Sequence, residues 1–196
     1  MCYRRCMRML VIFALSLVAA GQSANAATSD PRTVIGAVQA QRAAPLVVAS
    51  PAFALGRVAL RNTSYGANLS PAVRWSAMPG ARAYALILED PDAHTALPFA
   101  HWLVWNLPTT TNGLAEGQPR SATLATGAAQ GANDAGGVGY YGPHPPAGPA
   151  HLYHLEVFAL DAPLTLASGA GRAALADALR GHIIADGETV AAFKAP

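Results

Sequence analysis

Short apolar segments separated by turn residues follow one another along the chain from Pro45 onward, a pattern typical of an all-β domain. Residues 83–89 are apolar on both faces, as expected of a strand at the centre of a sandwich. Later segments are rich in the aromatic and β-branched residues that favour strands. Strands are therefore predicted over residues 74–76, 83–89, 101–107 and 151–160, with one or two more within 47–58.

One segment has the spacing of a helix. In residues 172–180, Leu175 and Leu179 lie four positions apart, and Gly181 follows at a point where helices commonly end. The pattern as a whole predicts a mainly β, antiparallel fold with a single late helix.

The N-terminus has the three parts of an export signal. Arginines at positions 4, 5 and 8 precede the apolar run Met9–Ala20, and Ala24-Asn25-Ala26 supplies the small residues before a cleavage site. The apolar run is too short to span a bilayer as a helix. Residues 1–26 are therefore predicted to be a cleavable signal peptide, which implies a periplasmic or secreted protein without a stable membrane anchor. A buried N-terminal helix is the less favoured alternative.

Loss of that signal changes the composition of the protein. Three of the 13 basic residues lie in it and none of the 11 acidic ones, so the net charge falls from +2 to about −1. This balance gives no indication of nucleic-acid binding. Both cysteines, Cys2 and Cys6, also lie in the signal, so neither a disulfide nor a thiolate metal site is expected. Residues 27–44 are predicted to be a flexible leader, and residues 45–196 a single domain.

Two carboxylates lie two positions apart at Asp90-Pro91-Asp92, directly after the predicted central strand. In an extended backbone Asp90 and Asp92 project to the same side. Paired carboxylates need a cation, a shared proton or hydrogen-bond donors, which is how a binding site would use them. The alternative is a turn in which the carboxylates only hold the loop.

Histidines open two of the predicted strands. In 151–160, His151 and Tyr153 share one face, whereas His154 points to the other. The earlier histidine, His101, is predicted to share its face with Leu103 and Trp105. A histidine in such a place is more often a structural hydrogen-bonding group than a ligand contact, so both interpretations stay open for His101 and His151.

Residues 125–150 form a long irregular segment with seven glycines and four prolines. Such a segment is uncommon in a compact domain unless it lines a site or is mobile. Gly137, Gly139 and Gly142 match the letters of a dinucleotide-binding loop, but no strand precedes them. Pro143 and the prolines after it forbid the helix that would hold a pyrophosphate. A dinucleotide site is therefore excluded.

Seven short motifs occur in order between residues 68 and 153. They are Asn68-Leu69-Ser70-Pro71, Trp75-Ser76, Asp90-Pro91-Asp92-Ala93, His101-Trp102-Leu103-Val104-Trp105-Asn106, Asn133-Asp134, Gly139-Tyr140-Tyr141-Gly142-Pro143 and His151-Leu152-Tyr153. Each is weak alone, but together they resemble the phosphatidylethanolamine-binding protein family, most closely its bacterial Raf-kinase-inhibitor-like branch. The resemblance covers nearly all of residues 45–196.

That resemblance implies a two-sheet antiparallel β-sandwich with a C-terminal helix and a small cavity for phosphate-like anions or phospholipid head groups. Three positions depart from the family pattern. His94 replaces a proline, Phe99 replaces a bulkier tryptophan, and His144 is either an added cation at the rim or a solvated side chain. The residues that the resemblance assigns to the cavity are Asp90, Asp92, His101, Gly142, Pro143, His151 and Tyr153.

The expected function is that of an exported binding protein for such an anion or head group, which could also inhibit a partner protein such as a protease. The alternative is a hydrolase that uses a carboxylate beside a histidine on a phosphoester. Binding is favoured because no residue resembles an activated nucleophile, and no catalytic residue is assigned. A metal site of aspartate and histidine ligands is a weaker third option. The favoured binding function requires neither a metal nor a cofactor, and none is expected.

Overall fold

Eight strands form most of the computed structural model, which describes residues 29–38 and 45–196. The strands are β1 (Val48–Ala49), β2 (Val73–Trp75), β3 (Ala83–Asp90), β4 (Phe99–Leu107), β5 (Gly113–Leu114), β6 (Ala129–Gln130), β7 (His151–Leu160) and β8 (Ile183–Phe193). Strands β1, β2 and β5 form one antiparallel sheet. The other five strands form a second antiparallel sheet in the order β6-β4-β3-β7-β8. The predicted signal peptide lies outside the described residues.

Helices are short in the described part of the chain. They are α1 (Val34–Ala37), α2 (Arg172–Leu179) and two 3₁₀ helices over Pro51–Gly56 and Leu60–Asn62. The predicted late helix is confirmed as α2, and Gly181 has the positive φ of 79° that favours glycine. Strand β8 follows α2, so the helix is not the last element of the fold.

The five-stranded sheet is covered on both faces, which explains why β3 reads as apolar throughout. Tyr84, Leu86 and Leu88 pack inward with Trp75 of the smaller sheet, and Ile87 packs outward with Leu175 of α2. All eight residues of β3 are buried. The sequence prediction of a mainly β, two-sheet fold is confirmed.

Two segments differ from the sequence pattern. The predicted strand region 47–58 contains only the two residues of β1, and Pro51 then begins a 3₁₀ helix capped by the side chain of Ser50.

Strand β8 was not predicted, because its polar residues hide the alternation. Its Gly187 leaves no room for a side chain, since a Cβ there would lie 2.1 Å from the carbonyl oxygen of Leu46.

The predicted flexible leader is partly packed. Val34, Ile35 and Val38 are buried on the outer face of the five-stranded sheet. The side chain of Thr33 caps α1 by accepting a hydrogen bond from the N–H of Gly36. Residues 29–38 therefore depart from the sequence prediction, because apolar residues at i, i+1 and i+4 give this short stretch a face to bury.

Candidate functional site

A cavity of about 380 Å³ opens at the edge of the five-stranded sheet where β3 ends and β4 and β7 begin. This volume is within the range of small-molecule pockets. Its walls are mainly apolar, and its polar side chains are aspartate, threonine, tyrosine and histidine. The lining residues are Asp90, Ala93, His94, Thr95, Phe99, His101, Ala135, Tyr141, His144, Pro145, Pro146 and His151.

Asp90 and His151 form a buried pair in this cavity. Nδ1 of His151 donates to Oδ2 of Asp90 across 2.8 Å, and only 3% of Asp90 and 8% of His151 remain exposed. Asp90 is the last residue of β3 and His151 the first of β7, so two adjacent strands bring them together. Because Nδ1 is engaged, Nε2 of His151 is the ring nitrogen left for a ligand.

A β-bulge turns His101 toward the cavity. Leu88 pairs with Trp102, but the next residue, Glu89, pairs with Ala100, so His101 is an extra residue in β4. Its ring lies 5.3 Å from that of Tyr153, on the inner side of the sheet. The sequence prediction that His101 shares a face with Leu103 and Trp105 is therefore wrong, because it assumed an unbroken alternation.

His101 is fixed by Tyr141. The N–H of Tyr141 donates to the carbonyl oxygen of His101 at 2.9 Å, and Nδ1 of His101 donates to the carbonyl oxygen of Tyr141 at 2.7 Å. A carbonyl only accepts, so Nδ1 carries the proton and Nε2 of the neutral ring is a bare acceptor. Burial lowers the pKa of His101 to about 4. The ring is therefore neutral near pH 7 in the unliganded protein.

The bulge itself is braced by Asp134. The N–H of Ala100 donates to Oδ2 of Asp134 at 2.7 Å, and the N–H of Asp134 donates to the carbonyl oxygen of Ala100 at 3.0 Å. The neighbouring Asn133 holds its own loop, since its Oδ1 accepts from Ala135 and Gly137. The Asn133-Asp134 motif thus supports the backbone that presents His101.

Asp92 lies apart from the cavity. The N–H of Asp92 donates to Oδ1 of Asp90 at 2.8 Å, which closes a turn, and Oδ2 of Asp92 accepts from the N–H of Leu152 at 2.9 Å. The chain therefore leaves the extended conformation after Asp90, and the two carboxylates diverge. Asp92 lines a neighbouring depression that also includes His94 and His151. Its predicted contact with a ligand stays a prediction.

Gly142 and Pro143 support the cavity wall from behind. A Cβ on Gly142 would lie 2.7 Å from the carbonyl oxygen of Asn62 and 2.8 Å from backbone atoms of Thr63, so only glycine fits. The N–H of Gly142 donates to Oδ1 of Asn68 at 2.7 Å. The carbonyl oxygen of Pro143 accepts from Ser64. These two predicted site residues are thus buried behind the lining.

Tyr153 lies beneath the cavity, fully buried beside Asp90 and His101. Burial, and then the nearby carboxylate of Asp90, raise the pKa of Tyr153. Its hydroxyl has no partner within hydrogen-bonding geometry among the described residues. Tyr153 therefore shapes the base of the site and leaves a buried hydroxyl that a ligand or a small shift of Asp90 could satisfy.

The strand-face prediction for β7 is confirmed. His154 lies on the outer face, where its Nδ1 contacts Oε2 of Glu188 at 2.7 Å, and it does not line the cavity. Tyr141 is the main lining residue that the assignment from the sequence missed. The Gly139–Pro143 motif contained it, but the sequence could not show that its backbone would hold His101.

The polar groups of the cavity determine what it can bind. With Nδ1 engaged in both His101 and His151, each neutral ring offers only an acceptor at Nε2, and each protonated ring offers a donor. Each of these two histidines therefore donates a hydrogen bond to an anion through Nε2 only when it has taken up a proton. Within residues 29–38 and 45–196, no cluster of three histidine, cysteine or acidic side chains has the geometry of a metal site.

Comparisons with known proteins agree with this architecture. The sequence model of the family described as phosphatidylethanolamine-binding protein matches residues 49–194. A UPF0098 protein of Methanothermobacter thermautotrophicus is 38% identical over 140 residues, which cover 71% of this chain and 91% of that protein. A Mycobacterium tuberculosis protein, named as a candidate lipoprotein, LppC, is 36% identical over 140 residues, or 70% of this chain and 67% of that protein.

Solved structures lead to the same family. The crystal structure of E. coli YbcL, described as a new member of the mammalian PEBP family, superimposes with a TM-score of 0.72 at 30% identity. The match covers 78% of this chain and all of YbcL. In the described part of the chain, no helix has the length and apolar character needed to cross a bilayer. On its sequence, its two-sheet fold and these matches, the chain belongs to the phosphatidylethanolamine-binding protein family.

Proposed function

We propose that this protein is an exported binding protein whose cavity takes a phosphate-type anion or a phosphorylated head group. The observation that carries the proposal is the buried Asp90–His151 pair beside His101, in a cavity whose other walls are mainly apolar. The two Nε2 atoms become donors when protonated, and charge-assisted donors suit phosphoryl oxygens. The apolar walls suit the organic part of a phosphomonoester.

Binding of the anion is coupled to proton uptake. Because the pKa of His101 is about 4, its ring is neutral near pH 7 in the unliganded protein. The negative charge of a bound anion favours the protonated ring. The carboxylate of Asp90 repels an anion, and a proton on Nε2 of His151, whose Nδ1 contacts that carboxylate, offsets the repulsion. Affinity for phosphate should therefore rise as the pH falls from 8 toward 5.

Isothermal titration calorimetry with inorganic phosphate and O-phosphoethanolamine tests the proposal. The variants His101→Asn and His151→Asn each keep a donor near the Nδ1 position and lose Nε2. Each should weaken binding about tenfold or more, the scale of a lost charge-assisted hydrogen bond. His154→Asn is the matched control on the opposite face of β7. Equal losses from His154→Asn and His151→Asn, or no binding by the unmodified protein, would overturn the proposal.

A second candidate function is hydrolysis of a phosphoester, and the Asp90–His151 pair is the observation that favours it. A carboxylate that holds Nδ1 of a histidine orients Nε2 to activate a water molecule. Turnover of p-nitrophenyl phosphate that disappears in His151→Asn, with binding of phosphate retained, would support the hydrolase. Absence of turnover by the unmodified protein at pH 5 to 8 would leave binding as the function.

The predicted signal peptide supports a location outside the cytoplasm. The mature protein should begin at Ala27, which the intact mass of the periplasmic or secreted form measures. A mass that retains Cys2 and Cys6 would contradict export with cleavage. An exported protein meets proteases and does not meet cytoplasmic kinases, so purified proteases are the protein partners to test first.

A further inference from the structure

Four of the six histidines of the chain line the cavity, and two of them lie at its mouth. His101 and His151 are buried at its base, whereas His94 and His144 are exposed. The four come from separate segments: the turn after β3, strands β4 and β7, and the proline-rich loop that precedes β7. The outer pair is absent from the assigned anion site.

His144 is held in one orientation. Its Nδ1 lies 2.6 Å from Oγ of Ser64, and that hydroxyl donates to the carbonyl oxygen of Pro143 at 3.0 Å. The single hydroxyl proton is therefore used, so His144 donates from Nδ1 and Nε2 is left to contact a ligand. Its ring also stacks on Tyr65, with centroids 4.6 Å apart and planes 12° from parallel. A freely solvated side chain would not need these contacts.

The ring of Tyr141 is near both the buried His101 and the exposed His144. Its ring centroid is 6.1 Å from that of His101, with parallel planes 5° apart, and 6.4 Å from that of His144. A flat apolar group that lies along Tyr141, near Phe99 and Pro145, would therefore have one end toward each imidazole. A phosphate ion alone fills only part of a cavity of about 380 Å³.

We propose that His144 is a ligand-binding residue that selects ligands with an anionic group at each end of a flat apolar body. This inference rests on the proposed function, because it assumes that a phosphoryl group occupies the inner end near His101 and His151. The second anionic group then accepts a hydrogen bond from protonated Nε2 of His144. The ligand class is an aryl or similarly flat phosphomonoester that also carries a carboxylate or a second phosphate.

Phenyl phosphate and 4-carboxyphenyl phosphate are a matched pair of probes that differ only in the second anionic group. Calorimetric titration of the mature protein in Bis-Tris buffer at pH 6 should show 4-carboxyphenyl phosphate bound about threefold to fivefold more tightly, the scale of a solvent-accessible ion pair. His144→Asn keeps a donor for Ser64 and should bind the two probes with equal affinity. His182→Asn is the control, because His182 contacts Asp161 and does not line the cavity.

The outcomes separate this inference from the proposal on which it rests. Failure of both probes to bind would overturn the proposed function and this inference together. Tight binding of phenyl phosphate with no added affinity for the carboxylated probe would overturn the role of His144 alone. A preference that persists in His144→Asn would also overturn it, and a parallel titration of His94→Asn would then show whether the other exposed histidine supplies the contact.

Discussion

The carboxyl group of Glu156 accepts a hydrogen bond of 3.0 Å from the backbone N–H of Ile35, so a buried acid of β7 holds the N-terminal segment. The N–H of Val34 donates in the same way to Glu89 of β3. Glu89 also binds Arg172 of α2. Two buried carboxyl groups on the outer face of the sheet thus serve as the anchor of residues 29–38.

This anchor reaches the candidate site through Arg32. Its guanidinium donates to the carbonyl oxygen of Pro91, and it lies 3.4 Å from Oδ1 of Asp92. Asp92 in turn accepts from the N–H of Leu152, the neighbour of His151. The packed N-terminal segment therefore supports the turn that presents Asp90.

Replacement of Glu156 by glutamine should increase stability near neutral pH. Burial, and then the neighbouring Glu89, raise the pKa of Glu156. At a pH above the ordinary pKa of glutamate, the unfolded chain has therefore released this proton while the folded protein still keeps it. The free energy of unfolding of the unmodified protein therefore falls as the pH rises, and Glu156→Gln removes this fall because glutamine does not titrate. Urea unfolding at pH 8 should show a gain of about 1–2 kcal/mol that shrinks toward pH 4.5. A gain that is the same at both pH values, or one matched by the exposed control Asp177→Asn, would refute this account.

Packing of the N-terminal segment should be measurable as stability. Ile35 is buried against the outer face of the sheet, so Ile35→Ala should cost about 2–4 kcal/mol, the usual range for a large aliphatic side chain. Ala37 is exposed in the same helix, and Ala37→Ser is the control. Hydrogen exchange of the Val34 and Ile35 amides should be slow. Equal stabilities of the two variants would mean that the segment is not docked in solution.

Acid should weaken the fold through His101. Burial lowers its pKa from 6.5 to about 4, so the unfolded chain binds more protons between these values and stability falls as the pH drops through that window. The full loss is about 3 kcal/mol, from the free energy of one pKa unit. His101→Asn keeps a donor for Tyr141 and should flatten the unfolding free energy between pH 6.5 and 4 in phosphate-free buffer. If the unfolding free energy of His101→Asn depends on pH as that of the unmodified protein does, the buried ring of His101 is not the cause of the acid sensitivity.

A methyl group on Gly142 should disturb the cavity wall. The added Cβ would overlap backbone atoms of Asn62 and Thr63, and neither backbone can move without breaking the contacts that hold the proline-rich loop. Gly142→Ala should therefore cost about 2–4 kcal/mol in thermal or urea unfolding. Gly137→Ala is the matched control, because its Cβ would meet only the side chain of Asn133 at 3.6 Å or more. A loss no larger than that of Gly137→Ala would show that the loop yields easily.

The sequence by itself determined the elements whose periodicity is local. Buried strands β3, β4 and β7 and helix α2 were predicted because apolar residues repeat at the spacing of a strand or a helix. The same rule assigned His151 and Tyr153 to the face opposite His154. The family resemblance named seven candidate residues. Six of them lie in or directly behind the cavity, and Asp92 is the exception.

Only the tertiary structure decided features that depend on pairing between distant segments. The bulge at His101 exists because β3 and β4 shift register by one residue, and no pattern within β4 alone records that shift. Asp92 points away from the cavity because its carboxylate accepts a hydrogen bond from the N–H of Leu152, 60 residues later in the chain. His144 is fixed by Ser64, 80 residues before it. A local sequence pattern indicates which face of a regular strand is buried. The hydrogen-bond partners of a buried polar group depend instead on contacts between residues that are distant in the sequence. The site is formed by such contacts.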